Sequence, residues 1–474
     1  MQFMNAPAFK DNAREALKDE NLRQALDRMN SGFVPRRQAA VDALPEFDSL
    51  RDRGRELKDH VLAHLDFYLE TFERNCTRMG GQVHWAPGPE DARNAILEIC
   101  QKAEARLVTK GKSMIAEEIH LNPFLEKHGI EVAETDLGEY IIQLADEPPS
   151  HIIGPAVHKT KDQVSDLFQE HHRKYGKTER QTEPAELIGE AREILRQKFL
   201  DADVGITGAN FLVAETGSTI IVTNEGNGDL TQMLPKVHIV VTSIEKVLPN
   251  LNDVATILRL LARSATGQEF SAYTTLSTGP KREGDLDGPD EFHVILLDNG
   301  RSSMLGTEVQ DMLRCIRCGA CMNHCPVYQS VGGHTYGAVY VGPMGAVLTP
   351  SLFGIDGARH LPNASTFCGR CQQVCPMQIP LPKMMRHWRE QAYDSGAMPA
   401  EERWGIGLWA FFAKRPWLYR PGARIAARLL SRLGRGRGRI SRLPFASGWT
   451  DGRDFPLPQG RTFQEQWARQ RGRR

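Results

Sequence analysis

The chain lacks any apolar run long enough to cross a bilayer. The longest near its C-terminus, residues 406–413, falls far short of the roughly 20 residues a spanning helix needs. Its N-terminus lacks the apolar segment of a signal peptide and carries Asp11, Glu15, Asp19 and Glu20 instead, which argues against secretory and transit peptides. A cytoplasmic location is expected. Net charge is also absent, with 59 basic and 59 acidic side chains among 474 residues. Nucleotide fingerprints are missing too. Lys110-Gly111-Lys112-Ser113 resembles the end of a P-loop, but the earlier glycine that loop requires falls on Arg106. Gly226-Asn227-Gly228 lacks the third glycine of a dinucleotide turn. No flavin or nicotinamide site is evident.

Cysteine is nearly absent outside one stretch. Cys76 and Cys100 stand alone in helix-like segments and read as small buried apolar residues. The other seven of nine lie between residues 315 and 375. They form Cys315-x2-Cys318-x2-Cys321-x3-Cys325-Pro326 and Cys368-x2-Cys371-x3-Cys375-Pro376. The first run has bacterial ferredoxin spacing, in which the fourth cysteine ligates the other cluster of a pair. Soft thiolates select iron–sulfur or zinc over harder metals. Paired C-x2-C zinc knuckles are the competing reading, but the x2-x2-x3-C-P run is not a zinc spacing. A disulfide framework would need an oxidising compartment.

Aligned by spacing, the second run fills positions two to four of the same motif, and Ser365 stands at position one. The expected wiring gives Cys315, Cys318, Cys321 and Cys375 to a first [4Fe–4S] cluster. Cys325, Cys368 and Cys371 go to a second. The fourth corner of the second is open, held by Ser365, or missing as in a [3Fe–4S] cluster.

Four regions emerge from the pattern. Residues 1–80 read as an amphipathic helical segment packed on the neighbouring α/β region. Residues 81–300 alternate apolar runs with helical stretches. Strands are expected at 106–109, 130–133, 204–207, 211–213, 219–223, 238–242 and 292–297, giving an α/β domain with a mostly parallel sheet. Residues 305–395 carry the cysteines, with a Gly-rich insertion from Gly332 that returns the chain so the two runs meet. Residues 396–474 are basic and aromatic. Residues 401–474 carry a net charge of +12, leaving −12 on residues 1–400. The α/β and cysteine regions are expected to have separate cores.

In open α/β sheets, ligands bind beyond the carboxyl ends of the strands. Lys110, Lys112, Ser113, Glu134, Asp136 and Glu215 are candidates for such a crevice. The plainer reading of Glu215-Thr216-Gly217-Ser218 and Thr223-Asn224-Glu225-Gly226 is turn chemistry around a hairpin.

These polar loops, the cysteine runs, the Gly-rich insertion between them and the basic Lys414-Arg415-Pro416 tail together resemble the lactate utilization protein B family. The likeness extends from about residue 50 to the tail. It implies a lactate utilization domain similar to sugar-phosphate isomerase and CoA-transferase folds, followed by an α-helical ferredoxin-type two-cluster domain and a basic tail. It implies the same seven cysteine ligands, and the absence of an eighth is usual for that family. It further implies a cysteine-rich-domain subunit and a smaller lactate utilization domain subunit as partners, with L-lactate and pyruvate handled by the complex.

The leading expectation is an electron-transfer subunit in lactate oxidation, with the electron acceptor unassigned. One alternative is that this chain itself binds lactate in the crevice, with Lys110 or Lys112 pairing the carboxylate. Another is an iron–sulfur sensor or scaffold whose Gly434-Arg435-Gly436-Arg437 repeats bind nucleic acid or a membrane. The aromatic segment from Trp404 to Tyr419 is expected to pack on the cysteine region, with peripheral membrane contact as the alternative.

Overall fold

A computed structural model describes residues 5–434, 436–443, 449–450 and 452–472. Residues 1–4, and Arg435 of the glycine–arginine repeat, lie outside them. The chain divides into two compact units, Met1–Asp394 and Ser395–Arg474.

The first unit is built on a six-stranded, wholly parallel sheet. Its strands are β1 (Gln82–Ala86), β2 (Leu107–Lys110), β3 (Glu131–Glu134), β4 (Val204–Gly208), β7 (Val237–Ser243) and β10 (Glu291–Leu297), in the order β1-β10-β7-β4-β2-β3. The central strand β7 is buried at every position. That explains its near-continuous β-branched sequence, since a parallel strand covered on both faces has no polar side to present. One apolar layer includes Ile96, Ile115, Ile206 and Ile295. The opposite layer packs Phe72 and Leu69 of helix Leu65–Arg78 against Val240, Val294 and Leu296.

Residues 211–223 do not join this sheet. β5 (Phe211–Val213) and β6 (Ser218–Thr223) form an antiparallel hairpin in a second, four-stranded sheet with β8 (Val247–Leu248) and β9 (Tyr273–Ser277). Strands β1, β8 and β9 escape the sequence pattern. β1 and β9 are polar and partly exposed, and β8 has only two residues.

The expectation of separate cores is wrong. One continuous apolar cluster joins Leu26, Met29 and Phe47 of the N-terminal helices to Phe211, Val213 and Ile220 of the second sheet. It also takes in Leu260 and Leu261, then Met312, Tyr328, Val347 and Met385 of the cysteine region. Helices Glu20–Asp42 and Phe47–Ala63 supply the packing surface between them. The polar counterpart is a buried ion network. Arg301 makes a two-pronged pair with Glu118, Nη1 to Oε1 at 2.9 Å and Nη2 to Oε2 at 2.6 Å. Its Nε lies 3.1 Å from Glu245. Arg317 reaches Glu245 at 3.2 Å and Tyr340 donates its hydroxyl to Glu118, both from the cysteine side.

The Gly-rich insertion passes close to the α/β region. A Cβ added at Gly333 would lie 1.7 Å from the Ser150 carbonyl oxygen, so only glycine fits there. Helix Gly342–Phe353, buried from Gly342 through Pro350, fills the space behind the cysteine loops.

The second unit contains helices Ala400–Ala413 and Pro416–Leu433, a short antiparallel pair (Arg439–Ile440 with Phe455–Pro456) and helix Phe463–Arg471. None of these three helices has a buried residue among those described, and Trp404, Trp409 and Trp417 are exposed. Among the described residues, no helix is long and apolar enough to cross a membrane.

Candidate functional site

The two cysteine runs share one backbone design. Arg317 and Phe367, each just before the second motif position, adopt left-handed φ of 60° and 54°. Gly319 and Gly369, each just after it, have φ of 72° and 79°. Short helices come next, Ala320–Asn323 carrying Cys321 and Arg370–Val374 carrying Cys371, and they pack on one another. Cys325 and Cys375 then turn extended, at ψ of 117° and 119°, ahead of their prolines. Ser365 therefore sits where the first run has Cys315. Its Oγ accepts from the Phe367 N–H at 3.1 Å.

The same repetition governs what faces the sulfurs. The N–H groups of Ala320 and Arg370 point at Cys318 and Cys368, two residues earlier in each run. Those of Val327 and Met377 point at Cys325 and Cys375. Hydrogen bonds to sulfur of this kind tune iron–sulfur potentials.

Cys315, Cys318, Cys321 and Cys375 line one small void. Cys325 lies within electrostatic reach of Cys368, and Cys371 of both. Burial, reinforced by neighbouring thiols, pushes Cys318 up to about 12 and Cys375 up to about 11. Cys371 is likewise pushed up to about 12. Such a crowd of sulfurs becomes thiolate only around a cation, because metal binding expels the protons. Cys368 differs: it is exposed, and the Arg370 N–H lowers its pKa. The buried Tyr336 hydroxyl has no oxygen or nitrogen acceptor among the described residues and faces the Cys325 sulfur. The donor set and this orphan hydroxyl fit sulfur-ligated iron. Cys76 and Cys100 are buried and pushed up to about 12 by that burial, away from the cysteine runs.

A cavity of about 470 Å³ opens beyond the carboxyl ends of β2, β3 and β4. Of the six crevice candidates, Lys112, Ser113 and Asp136 line it. The other three do not. Lys110 is fully buried beneath the cavity, with Nζ 2.7 Å from Glu134 and 3.1 Å from Glu117. Burial alone would lower its pKa, but Glu134, Glu117 and Glu139 together raise it. Lys110 and Glu134 thus pair with one another away from the cavity lining. Glu215 sits in the β5–β6 turn, where its carbonyl accepts from Asn75 Nδ2 at 3.0 Å. Gly217 of that turn has φ of 69° and presses on the Cys76 backbone, so hairpin chemistry accounts for this loop. The second polar loop behaves differently: Thr223, Asn224, Glu225, Asn227 and Gly228 all line the cavity.

With this geometry in view, comparison with known proteins decides the family. Residues 69–297 match the LUD domain, 311–379 the 4Fe-4S dicluster domain, and 384–473 the C-terminal domain of lactate utilisation protein B. Lactate utilization protein B of Geobacillus kaustophilus is 43% identical over 100% of this chain and 99% of its own length. The Bacillus subtilis protein of that name is 43% identical over 97% and 96%. The chain belongs to the lactate utilization protein B family. A crystal structure of a DUF162 family protein from Deinococcus radiodurans aligns with 49% of this chain and 98% of its own, at 14% identity and a TM-score of 0.28.

Membership makes the cysteine region an iron–sulfur domain and the parallel sheet a LUD domain. The structure adds residues that the sequence motifs did not single out. Arg51 donates to the Cys375 carbonyl, at 2.9 Å from Nη2, and Arg37 Nη2 to the Val374 carbonyl at 2.8 Å. Two N-terminal helices thus clamp the end of the second run. Lys58 is buried, donates to the Glu245 carbonyl and lies within electrostatic reach of Cys315. Arg317 and Lys246 line the cavity. Arg317 had a local signal, since it falls inside the first cysteine run. Lys246 had none.

Proposed function

We propose that the protein is the iron–sulfur electron-transfer subunit of a lactate-oxidising system and carries two [4Fe–4S] clusters. One observation carries the ligand assignment: Cys375, from the second run, lines the same void as Cys315, Cys318 and Cys321 of the first. In this reading those four residues hold one cluster. Cys325 would cross to join Cys368 and Cys371 at the other, whose fourth corner would be open or held by Ser365.

Oxidising lactate to pyruvate releases two electrons, and the two cysteine groups would hold a pair of one-electron centres able to accept both. The chain's own residues hold and tune those centres. Backbone N–H groups face the sulfurs, Arg37 and Arg51 brace the second run, and the shared apolar core packs against the first group.

The relatives' name, lactate utilization protein B, supports the substrate. The absence of a flavin or nicotinamide fingerprint supports dependence on partners, here a cysteine-rich-domain subunit and a smaller LUD-domain subunit. The basic C-terminal unit suits docking to an acidic partner surface. A cytoplasmic location keeps the thiols reduced before metallation. In domain terms the α/β domain spans 81–300, the cluster domain 305–395 and the basic region 396–474, after a helical segment at 1–80.

Metal analysis and absorbance test this reading. Anaerobically reconstituted protein should contain about eight irons and no zinc. Lactate should bleach its cluster absorbance only when both partners are present. Zinc in place of iron, or rapid lactate turnover by the isolated flavin-free chain, overturns it.

A further inference from the structure

The LUD-domain cavity and the first cysteine group share a wall. Ile152 and Arg317 line both the 470 Å³ cavity and the void bounded by Cys315, Cys318, Cys321 and Cys375. Arg317 belongs to the loop between two of those cysteines and takes a left-handed φ of 60°, a conformation that non-glycine residues rarely adopt.

Three cations line the cavity: Lys112, Lys246 and Arg317. Lys112 Nζ donates to the Ile153 carbonyl at 2.8 Å, and Lys246 Nζ to the Ala209 carbonyl at 2.6 Å. An ammonium has three donors, so each lysine keeps N–H groups beyond the one engaged there. The Arg317 side chain is 10% exposed, and its Nη2 meets Glu245. Its Nη1 is buried with no hydrogen-bond partner among the described residues. Leaving a buried charged donor unmatched is costly, and this one belongs to a residue on the cavity wall.

Two carboxylates also line the cavity, and both are already engaged. Asp136 accepts from the Gly138 and Glu139 N–H groups at 3.0 and 3.3 Å, capping helix Leu137–Leu144, and stands 3.7 Å from Lys112. Glu225 accepts from the Leu137 N–H. Three cations thus face two carboxylates on the cavity wall, and of these five side chains only Arg317, at Nη1, has a buried polar atom without a hydrogen-bond partner among the described residues. Ile141, Ile221 and Leu261 supply an apolar wall.

We propose that this cavity binds a small carboxylic acid, its carboxylate held by Lys112, Lys246 and Arg317 against the loop that carries Cys315 and Cys318. The identity of the acid, a three-carbon 2-hydroxy or 2-oxo acid, rests on the functional reading above. The site itself rests on the cavity's charge and its shared wall. Ligand occupancy is then felt at the first iron–sulfur centre, because the guanidinium that grips the carboxylate sits in the ligand loop.

Calorimetry on the anaerobic, iron-replete chain tests the site without calling on electron transfer. Pyruvate and lactate should bind, and uncharged lactamide should not. Lys112→Met and Lys246→Met should each weaken pyruvate binding at least tenfold at unchanged iron content, and Arg317→Lys should weaken it as well. In the dithionite-reduced chain, pyruvate should also shift the EPR signal of the centre assigned to Cys315, Cys318 and Cys321. Undiminished binding in both lysine variants, equal binding of lactamide, or no binding at millimolar pyruvate overturns the proposal. So does an Arg317→Lys protein whose EPR signal moves while its pyruvate affinity stays the same, since Arg317 Nη1 would then serve the cluster alone. The two readings fail separately: an absent pyruvate site leaves lactate-driven cluster reduction with partners untouched, and absent reduction leaves the calorimetry untouched.

Discussion

Replacing Arg301 by Met should destabilise the α/β and cluster regions together. Arg301 is fully buried and makes the two-pronged pair with Glu118, itself without exposed side-chain surface. It also faces Glu245, whose side chain is 2% exposed. Methionine removes the charge and leaves Glu118 to Asn299 Nδ2 and the Tyr340 hydroxyl, and Glu245 to Arg317. Breaking one partner of a buried pair costs about 3–5 kcal/mol. A folded domain holds only about 5–15 kcal/mol in total, so the loss is a large share of it. Arg317 and Tyr340 join this network from the cluster side, and the apolar core is shared, so the damage should not stay in the LUD domain. Denaturation by guanidinium, followed at once by far-UV circular dichroism and cluster absorbance, should give coincident transitions displaced to lower denaturant in Arg301→Met. Glu118→Met added to Arg301→Met should recover part of the loss, because the pair then leaves no lone charge at that site. Two well-separated transitions, or a loss under about 1 kcal/mol, would refute the claim that one core and one ion network unite the regions.

Three further outcomes are expected. Cys325→Ser should spare the EPR signal of the centre held by Cys315, Cys318 and Cys321 and disturb the other, whereas Cys375→Ser should do the reverse; the opposite pairing contradicts the crossover. Cys76→Ser and Cys100→Ser should leave iron content unchanged, since both thiols are buried away from the two cysteine runs. Burial alone would raise the Glu245 carboxyl, but Arg301 and Arg317 hold it at about 2 against a usual 4.5. A depressed carboxyl stabilises the fold above its unfolded pKa and loses that contribution as pH falls through the folded one. Thermal midpoints of wild type and Glu245→Gln should therefore differ at neutral pH and converge between about 4.5 and about 2, and a pH-independent gap would exclude this ionisation as the cause.

The parts legible in the sequence were those whose chemistry is local. Three cysteines at x2 spacing need only one loop and one short helix to converge, so the motif reads directly. The strands β7 and β10 read as apolar runs because they are covered on both faces. Legibility ended where distant segments meet. Lys110 and Lys112 look alike at the end of β2, and only the fold puts Glu134 and Glu117 beneath the first while leaving the second on the cavity. Lys246 enters the same cavity from beyond β7, more than a hundred residues away in sequence. Glu215 and Glu225 both flank β6 in polar turns, yet the hairpin directs only the second toward the cavity. The expectation of separate cores failed for a related reason: helices near residues 26–50 join both regions, and nothing in their amphipathic pattern names the surface they cover.

The central claim is tested most directly by EPR of the complex reduced with lactate. The chain reconstituted with the two proposed partner subunits, mixed anaerobically with L-lactate and frozen, should show reduced iron–sulfur signals that are absent without lactate. Cys318→Ser, which removes a proposed ligand of the first centre, should abolish electron flow to an added acceptor. Signals that stay unchanged while the complex still turns lactate into pyruvate would mean the electrons bypass this chain, and the account would be wrong.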